Sequence, residues 1–363
     1  MKGDAPLKTF YCKPKIFTGP DALNCLTELR AKSVLLVTDR YFAESGVADR
    51  ITSLLPESCV TVFSEVSPDP SVELVAKGAA VFQQCHPDAV IALGGGSPMD
   101  CAKAILYLQE KKPLFAAIPT TSGSGSEMTA FSIVTHDGVK RPLVDDTLRP
   151  DWAILDETLL RKLPKSLIAD TGMDLLAHCL EALAGTNASA FSDTLAEGAF
   201  RICFTNLHAS YTGDTTVRGA IHEAASMAGL AFDHAGLGVL HALAHTLGGR
   251  FHLAHGRLCA ILCTAVLEFN APVCQEKYVR LARMSGITGA TGHMVFRNLI
   301  AALSRLRSSL EMPGSLQQAG ISPRELRAAS DEIAAAALRD PCLDTAPRRP
   351  SHDEIKAILQ QVK

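Results

Sequence analysis

The chain has 363 residues, 47% apolar and 20% charged, with a formal net charge of −3. Single hydrophobic cores usually stop growing beyond roughly 250 to 300 residues, so two domains are expected. The near-neutral balance offers no basic face for nucleic acid or an anionic membrane surface, and excludes both as expected partners.

The N-terminus, MKGDAPLKTF, lacks the apolar stretch of a secretory signal. No apolar run is read as reaching the roughly 18 to 20 residues of a membrane span, so a cytoplasmic location is expected. Eleven cysteines, from Cys12 to Cys342, include no CxxC pair and read as reduced thiols. Cys259 and Cys263 stand four apart in CAILC, where apolar neighbours favour core packing over metal binding.

In chain order, Ser33 to Asp39 (SVLLVTD) predicts a buried strand, Val47 to Leu55 a helix, Cys59 to Phe63 a strand and Val72 to Cys85 a helix. Ala89 to Leu93 (AVIAL) predicts a third strand, Pro98 to Glu110 a helix, and Leu114 to Ile118 a fourth strand. This alternation predicts an α/β domain built on a parallel, Rossmann-like sheet over residues 1–157. Beyond it β-rich runs disappear. Helical spacing runs through Gly172 to Leu183, Ser192 to Phe204, Thr216 to Gly229, Leu240 to Leu247, Phe296 to Leu310 and Pro323 to Leu338, which predicts an all-helical domain over residues 158–363.

Parallel sheets bind ligands beyond the carboxyl ends of their strands. There Gly94-Gly95-Gly96-Ser97-Pro98-Met99-Asp100 leaves the AVIAL strand and opens a helix, giving bare backbone and a positive helix end for a diphosphate. This is not the GxGxxG fingerprint, and alone it reads more readily as a tight turn. A second loop, Pro119-Thr120-Thr121-Ser122-Gly123-Ser124-Gly125-Ser126-Glu127, follows the next strand and is dense in hydroxyls. Asp39 ends the first strand, where a carboxylate accepts from ribose hydroxyls and repels a 2′-phosphate, favouring NAD over NADP.

In the second half, Asp174 and His178 are four apart and share a helix face, and His241 and His245 repeat that spacing before His252 and His255. One carboxylate with three imidazoles suits a divalent first-row metal with one position left for substrate. Spacing alone leaves Asp170 as a rival carboxylate and does not rank the four histidines. Phe131 and Phe232 are candidates for an apolar pocket wall suited to short-chain substrates.

Together GGGSPMDCAK (Gly94 to Lys103), PTTSGSGSE (Pro119 to Glu127), TGMDLLAHCLEA (Thr171 to Ala182) and GLGVLHALAHTLGGRFHLAHG (Gly236 to Gly256) resemble the iron-containing (group III) alcohol dehydrogenase family, over about residues 10 to 350. Within it, FSEVSPDPSVELV and AGLGVLHALAHTLGGRFHLAHG resemble the propanol and ethanol dehydrogenases of bacterial microcompartments. The resemblance implies metal ligands at Asp174, His178, His241 and His255, with ferrous iron as the ion and zinc as an alternative. It implies NAD(H) contacts at Asp39, Asp69, Gly95, Gly96, Ser97, Asp100, Thr120, Thr121, Ser124, Thr129 and Lys140. It places His245 near the nicotinamide, in proton transfer, and gives no ligand role to His252 or Asp170.

The implied activity is interconversion of small aldehydes and primary alcohols such as propionaldehyde and 1-propanol, by a homo-oligomer, most simply a dimer, in the cytoplasm or inside a microcompartment with other encapsulated enzymes and shell proteins. The chain departs from the family pattern at Asp156-Glu157, where Asp-Pro is common, at Ala346-Pro347-Arg348, where Asn-Pro-Arg is common, and at Asp170, commonly a small or hydroxyl residue. The alternative is a dehydroquinate synthase-like or polyol-phosphate enzyme. It requires several cations around the site, where the metal-proximal sequence offers Arg250 and Arg257.

Overall fold

The computed structural model describes residues 9–137 and 139–363. Its first half is a six-stranded sheet, all parallel, formed by β1 (Lys15–Gly19), β2 (Ser33–Asp39), β3 (Cys59–Val66), β4 (Ala89–Gly94), β5 (Leu114–Pro119) and β8 (Trp152–Asp156), in the order β1-β8-β5-β4-β2-β3. Side chains alternate across a strand, so the continuous apolar run of β2 builds two cores at once. Leu35 and Val37 face one side with Val90, Ala92, Phe115 and Ala117, while Val34 and Leu36 face the other with Ile91, Leu93, Ala116 and Ile118.

Helices α3 (Val72–Cys85) and α4 (Gly96–Tyr107) cover the first face. Helix α2 (Val47–Ser53) and a short 3₁₀ helix at Ala22–Glu28 cover the second. Helix α1 (Arg40–Glu44) is a single turn capped by Asp39, whose carboxylate accepts from the Phe42 N–H at 3.0 Å.

The sheet has two more strands than the sequence predicts, and a separate antiparallel hairpin, β6 (Phe131–His136) with β7 (Val139–Val144), follows the second glycine loop. Edge strand β1 lacks any apolar alternation, and β8 has only five residues (WAILD), so neither gives a clear strand period.

From Lys165 onward the described chain is helical, with α5 (Lys165–Ala184), α6 (Ala190–Thr212), α7 (Arg218–Ala235), α8 (Val239–Phe251), α9 (His255–Met284), α10 (Gly292–Ser309), α11 (Pro323–Ala337) and α12 (His352–Gln361). Helix α9, which periodicity did not predict, contains Pro272 and packs against α5, α8 and α10. Its first half, 258–267, is buried on nearly every side, so that stretch shows little amphipathic rhythm. It corrects the sequence reading in another way, since by length and composition it could cross a membrane, with mean hydropathy 1.5. Here 61% of that window is buried among other helices, as in the core of a helical body.

Helix α7 joins the two halves. Gly229 lies so close to Gly125 that a Cβ on it would stand 2.6 Å from the Gly125 carbonyl. Ser226 donates to Glu127 at 2.5 Å, Asp233 accepts from the Ala130 N–H at 2.9 Å, and Asp233 pairs with Arg149 at 3.0 Å. The hydroxyl-rich loop is thereby pinned over the helical half.

Candidate active site

Between the halves runs a cleft of about 610 Å³. At one end it is lined by Asp39, Gly95, Gly96, Ser97, Thr120, Thr121 and Ser124, and at the other by Asp170, Asp174, His255 and Gly256. The carboxyl ends of β2, β4 and β5 therefore open onto the residues expected to hold metal. Gly94 turns the chain at φ +146°, and a Cβ there would meet the Pro98 ring at 2.5 Å. Helix α4 begins at Gly96 after Gly95, with no side-chain cap, which leaves its first N–H groups to an incoming anion.

The remaining residues expected at the cofactor do not line this cleft. Thr129 is buried, and its carbonyl accepts from the Lys103 ammonium at 2.8 Å. Lys103, fully buried, also donates to the carbonyls of Ser126 at 2.6 Å and Phe131 at 2.7 Å. A single cation thus ties together the loop and the start of the hairpin. Burial pushes Lys103 down and the neighbouring Asp100 up, while their mutual attraction opposes both shifts. Asp69 follows the cleft residue Pro68 and is paired with Lys140 at 2.7 Å.

In the helical half, α5 supplies Asp174 and His178, α8 supplies His241 and His245, and α9 begins at His255. Asp174 Oδ1 lies 3.4 Å from His255 Nε2 and 3.8 Å from His241 Nε2, and Asp174 Oδ2 lies 4.0 Å from His178 Nδ1. The His178 ring is stacked between His241 and Phe232, with centroids at 4.5 and 4.4 Å. Phe232 thus meets the site as a wall, whereas Phe131 contributes a backbone carbonyl to Lys103.

Burial alone would raise the Asp174 carboxyl, but the rings of His178, His255 and His241 outweigh it and hold the group well below the usual carboxylate range. Burial also pushes His178 down to about 4 and His255 well below the ordinary imidazole value, so both rings are neutral and free to donate a lone pair.

Two supporting carboxylates were not singled out from sequence. Glu181, two turns after Asp174 on α5, accepts from the Gly238 and Leu240 N–H groups at 2.8 Å and from His241 Nδ1 at 2.7 Å. It caps the start of α8 and fixes the His241 tautomer, turning Nε2 toward Asp174. Asp340 lies 2.9 Å from His245 Nδ1, and its other oxygen accepts from the Cys342 N–H at 2.8 Å. The His245 ring stacks on His255 at 5.3 Å, adjoining the cluster without entering it. The signal for Glu181 was its place three residues after His178; Asp340 is ninety-five residues from His245 and carries no local signal.

The sequence rivals are placed elsewhere. Asp170 is engaged by Arg257 through two hydrogen bonds, at 3.3 and 3.1 Å. His252 is exposed at the C-terminus of α8 in the left-handed conformation, φ 55°.

Three buried atoms of the cluster, Asp174 Oδ1, His178 Nδ1 and His241 Nε2, have no hydrogen-bond partner. Orphaned buried polar atoms are costly, and here an anionic oxygen and imidazole nitrogens converge; burial lowers His241, but Asp174 and Glu181 outweigh it and raise that ring to about 9. That donor set fits a divalent cation and leaves no role for a bound anion.

A cleft that runs from glycine-rich strand ends to a buried cation site is the arrangement of an enzyme that uses a dinucleotide and a metal ion. Residues 13–157 match the family model for iron-containing alcohol dehydrogenase, and residues 168–362 match the C-terminal model of the Fe-containing alcohol dehydrogenase family. The chain is 37% identical to 1-propanol dehydrogenase PduQ of Salmonella typhimurium over 98% of this chain and 100% of that protein. It is 36% identical to the NADPH-dependent butanol dehydrogenase of Clostridium saccharobutylicum over 96% of each. The crystal structure of a 1,3-propanediol oxidoreductase superposes with a TM-score of 0.93 at 31% identity, covering 99% of this chain and 100% of that one.

The chain belongs to the iron-containing alcohol dehydrogenase family. It is an oxidoreductase that interconverts alcohols and aldehydes, with the family's NAD(H) and iron as its cofactors.

Proposed function

We propose that this chain reduces short-chain aldehydes to primary alcohols with NADH, propionaldehyde and acetaldehyde being the substrates of choice, and so regenerates NAD in fermentation. The observation that carries this reading is the convergence of the three orphaned donor atoms at one end of a dinucleotide-sized cleft. The proposed metal ligands are Asp174, His178, His241 and His255. Gly95, Gly96, Ser97, Thr120, Thr121 and Ser124 cradle the cofactor from the cleft walls, Asp39 holds the adenosine ribose, and Asp69, Asp100 on α4, Thr129 and Lys140 on β7 act from behind them.

Bound there, the metal ion supplies Lewis acidity toward a carbonyl oxygen and the nicotinamide supplies hydride. The protein's own part is to place and protonate. Phe232 and the His178 stack keep the pocket apolar, which suits a short alkyl chain. His245, held at Nδ1 by Asp340, keeps Nε2 free to pass a proton through water or the ribose toward the developing alkoxide. Zinc fits the same donors and is kept as the alternative ion.

A phosphorylated substrate needs several free cations and is disfavoured, because Arg257 is paired with Asp170 and Arg250 with Glu332 at 2.7 Å, which leaves Lys162 on the cleft wall. The division into domains at residues 1–157 and 158–363 is supported by the end of β8 at Asp156 and the start of α5 at Lys165. A cytoplasmic protein housed in a bacterial microcompartment, alongside other encapsulated enzymes or shell proteins, is supported by the 37% identity to PduQ. A dimer is supported by β1, which ends the sheet with Ile16 exposed.

The test is oxidation of NADH with propionaldehyde, acetaldehyde and a sugar phosphate by anaerobically purified protein. Turnover with the aldehydes and none with the phosphate supports the proposal; the reverse pattern overturns it.

A further inference from the structure

Cys259 was expected to be a core residue, and its burial at 0% exposure agrees. Yet it lies one turn after His255 on α9, with Sγ 3.6 Å from His255 Nε2, the nitrogen that also stands 3.4 Å from Asp174 Oδ1. Donor atoms of Asp174, His241, His255 and Cys259 all fall within 4.8 Å of one another.

Two ligand atoms held about 2.0 to 2.3 Å from one ion are about 2.8 to 4.0 Å apart at the right and trigonal angles of a five-ligand shell. The oxygen–nitrogen and sulfur–nitrogen distances at His255 therefore have the lengths of edges of one coordination polyhedron. The orphaned Asp174 Oδ1 and His241 Nε2 mark the same point from a second direction. Cys263, one turn further along, lies in the apolar core without a place in the cluster.

We propose that Cys259 is a sulfur ligand of the metal site, added to the oxygen and nitrogen donors; this rests on the ligand assignment made above. On binding, the metal–sulfur bond forms, the thiol proton is released to solvent, and no oxidation state changes. A thiolate is a soft ligand and favours zinc over ferrous iron, so Cys259 raises this site's affinity for zinc relative to the family's iron.

The experiment is X-ray absorption on the zinc-loaded full-length protein, with cobalt-loaded protein read by optical spectroscopy. Wild type should show one sulfur scatterer at about 2.3 Å beside the nitrogen and oxygen shell, and a sulfur-to-cobalt charge-transfer band in the near ultraviolet. C259S should lose both signals while still binding metal, and C263S should keep them. Zinc-over-iron preference in C259S should fall by at least about tenfold, because losing a direct ligand costs no less than losing an outer-shell partner.

A nitrogen and oxygen shell alone in wild type overturns the sulfur assignment and leaves the four other ligands standing. Failure to bind either ion in wild type overturns both. Should C259S not fold, the wild-type spectrum decides on its own.

Discussion

The two halves of the molecule build their parts of the site from different material. The sheet half offers mainly backbone: Gly94 to Gly96 and Thr120 to Ser124 are contiguous loops at the ends of adjacent strands. The helical half offers side chains drawn from α5, α8 and α9, spread over more than eighty residues and joined only by packing. A site made of loops tolerates change of side chain wherever the backbone path survives. One made of converging side chains has no such reserve, because each donor and each carboxylate behind it is a single atom pair.

That contrast can be tested by mutation, and the largest effect is expected in the metal cluster. H255A or H178A should lose metal and activity together, by at least about 10³-fold, since metal polarisation is worth several kcal/mol. Metal analysis beside initial rates checks it, and full activity in either variant would break the comparison.

Next comes H245A, which should keep the metal but turn over roughly 10²- to 10⁴-fold more slowly. An emptied metal site in this variant would show that His245 is a ligand and that its proton role is mistaken. E181Q should weaken metal binding roughly 10- to 100-fold, because the amide no longer holds His241 Nδ1 as a carboxylate does; competition with a chelator measures it.

The smallest effect belongs to Asp340. Burial raises its carboxyl, but the His245 bond, the charge of that ring and the Cys342 N–H outweigh burial and bring it from 3.8 down to about 2. A carboxyl depressed on folding stabilises above its unfolded value, and that contribution, on the order of 2 kcal/mol, is lost as pH falls from about 4 through about 2. D340N should therefore be less stable than wild type at neutral pH, with the difference shrinking across that acid window. Denaturant melts at several pH values follow it, and a pH-independent difference would remove His245–Asp340 pairing as the cause.

How much could be seen beforehand divides along the same line. The central strands β2, β4 and β5 announce themselves because burial on both faces demands unbroken apolar runs. Strands β1 and β8 and the β6–β7 hairpin are short, partly exposed or at an edge, so pairing rather than pattern defines them. Asp174 and His178 stand at helical spacing, as do His241 and His245, and the structure sets His255, at the start of the next helix, beside them. Asp340 and Lys103 act on neighbours through contacts that no spacing reveals, Glu181 offers only its place three residues after His178, and Cys259 looks like core because its surroundings are mostly core. Asp170 looked like a rival ligand until Arg257, eighty-seven residues away, was seen to hold its carboxylate.

The most direct test of the account is a metal titration of chelated, anaerobically prepared protein, following NADH oxidation with propionaldehyde against bound ferrous iron or zinc. The account predicts no turnover without metal and recovery that saturates at one ion per chain. Turnover by the metal-free protein, or saturation with metal and no turnover of any aldehyde, would contradict it.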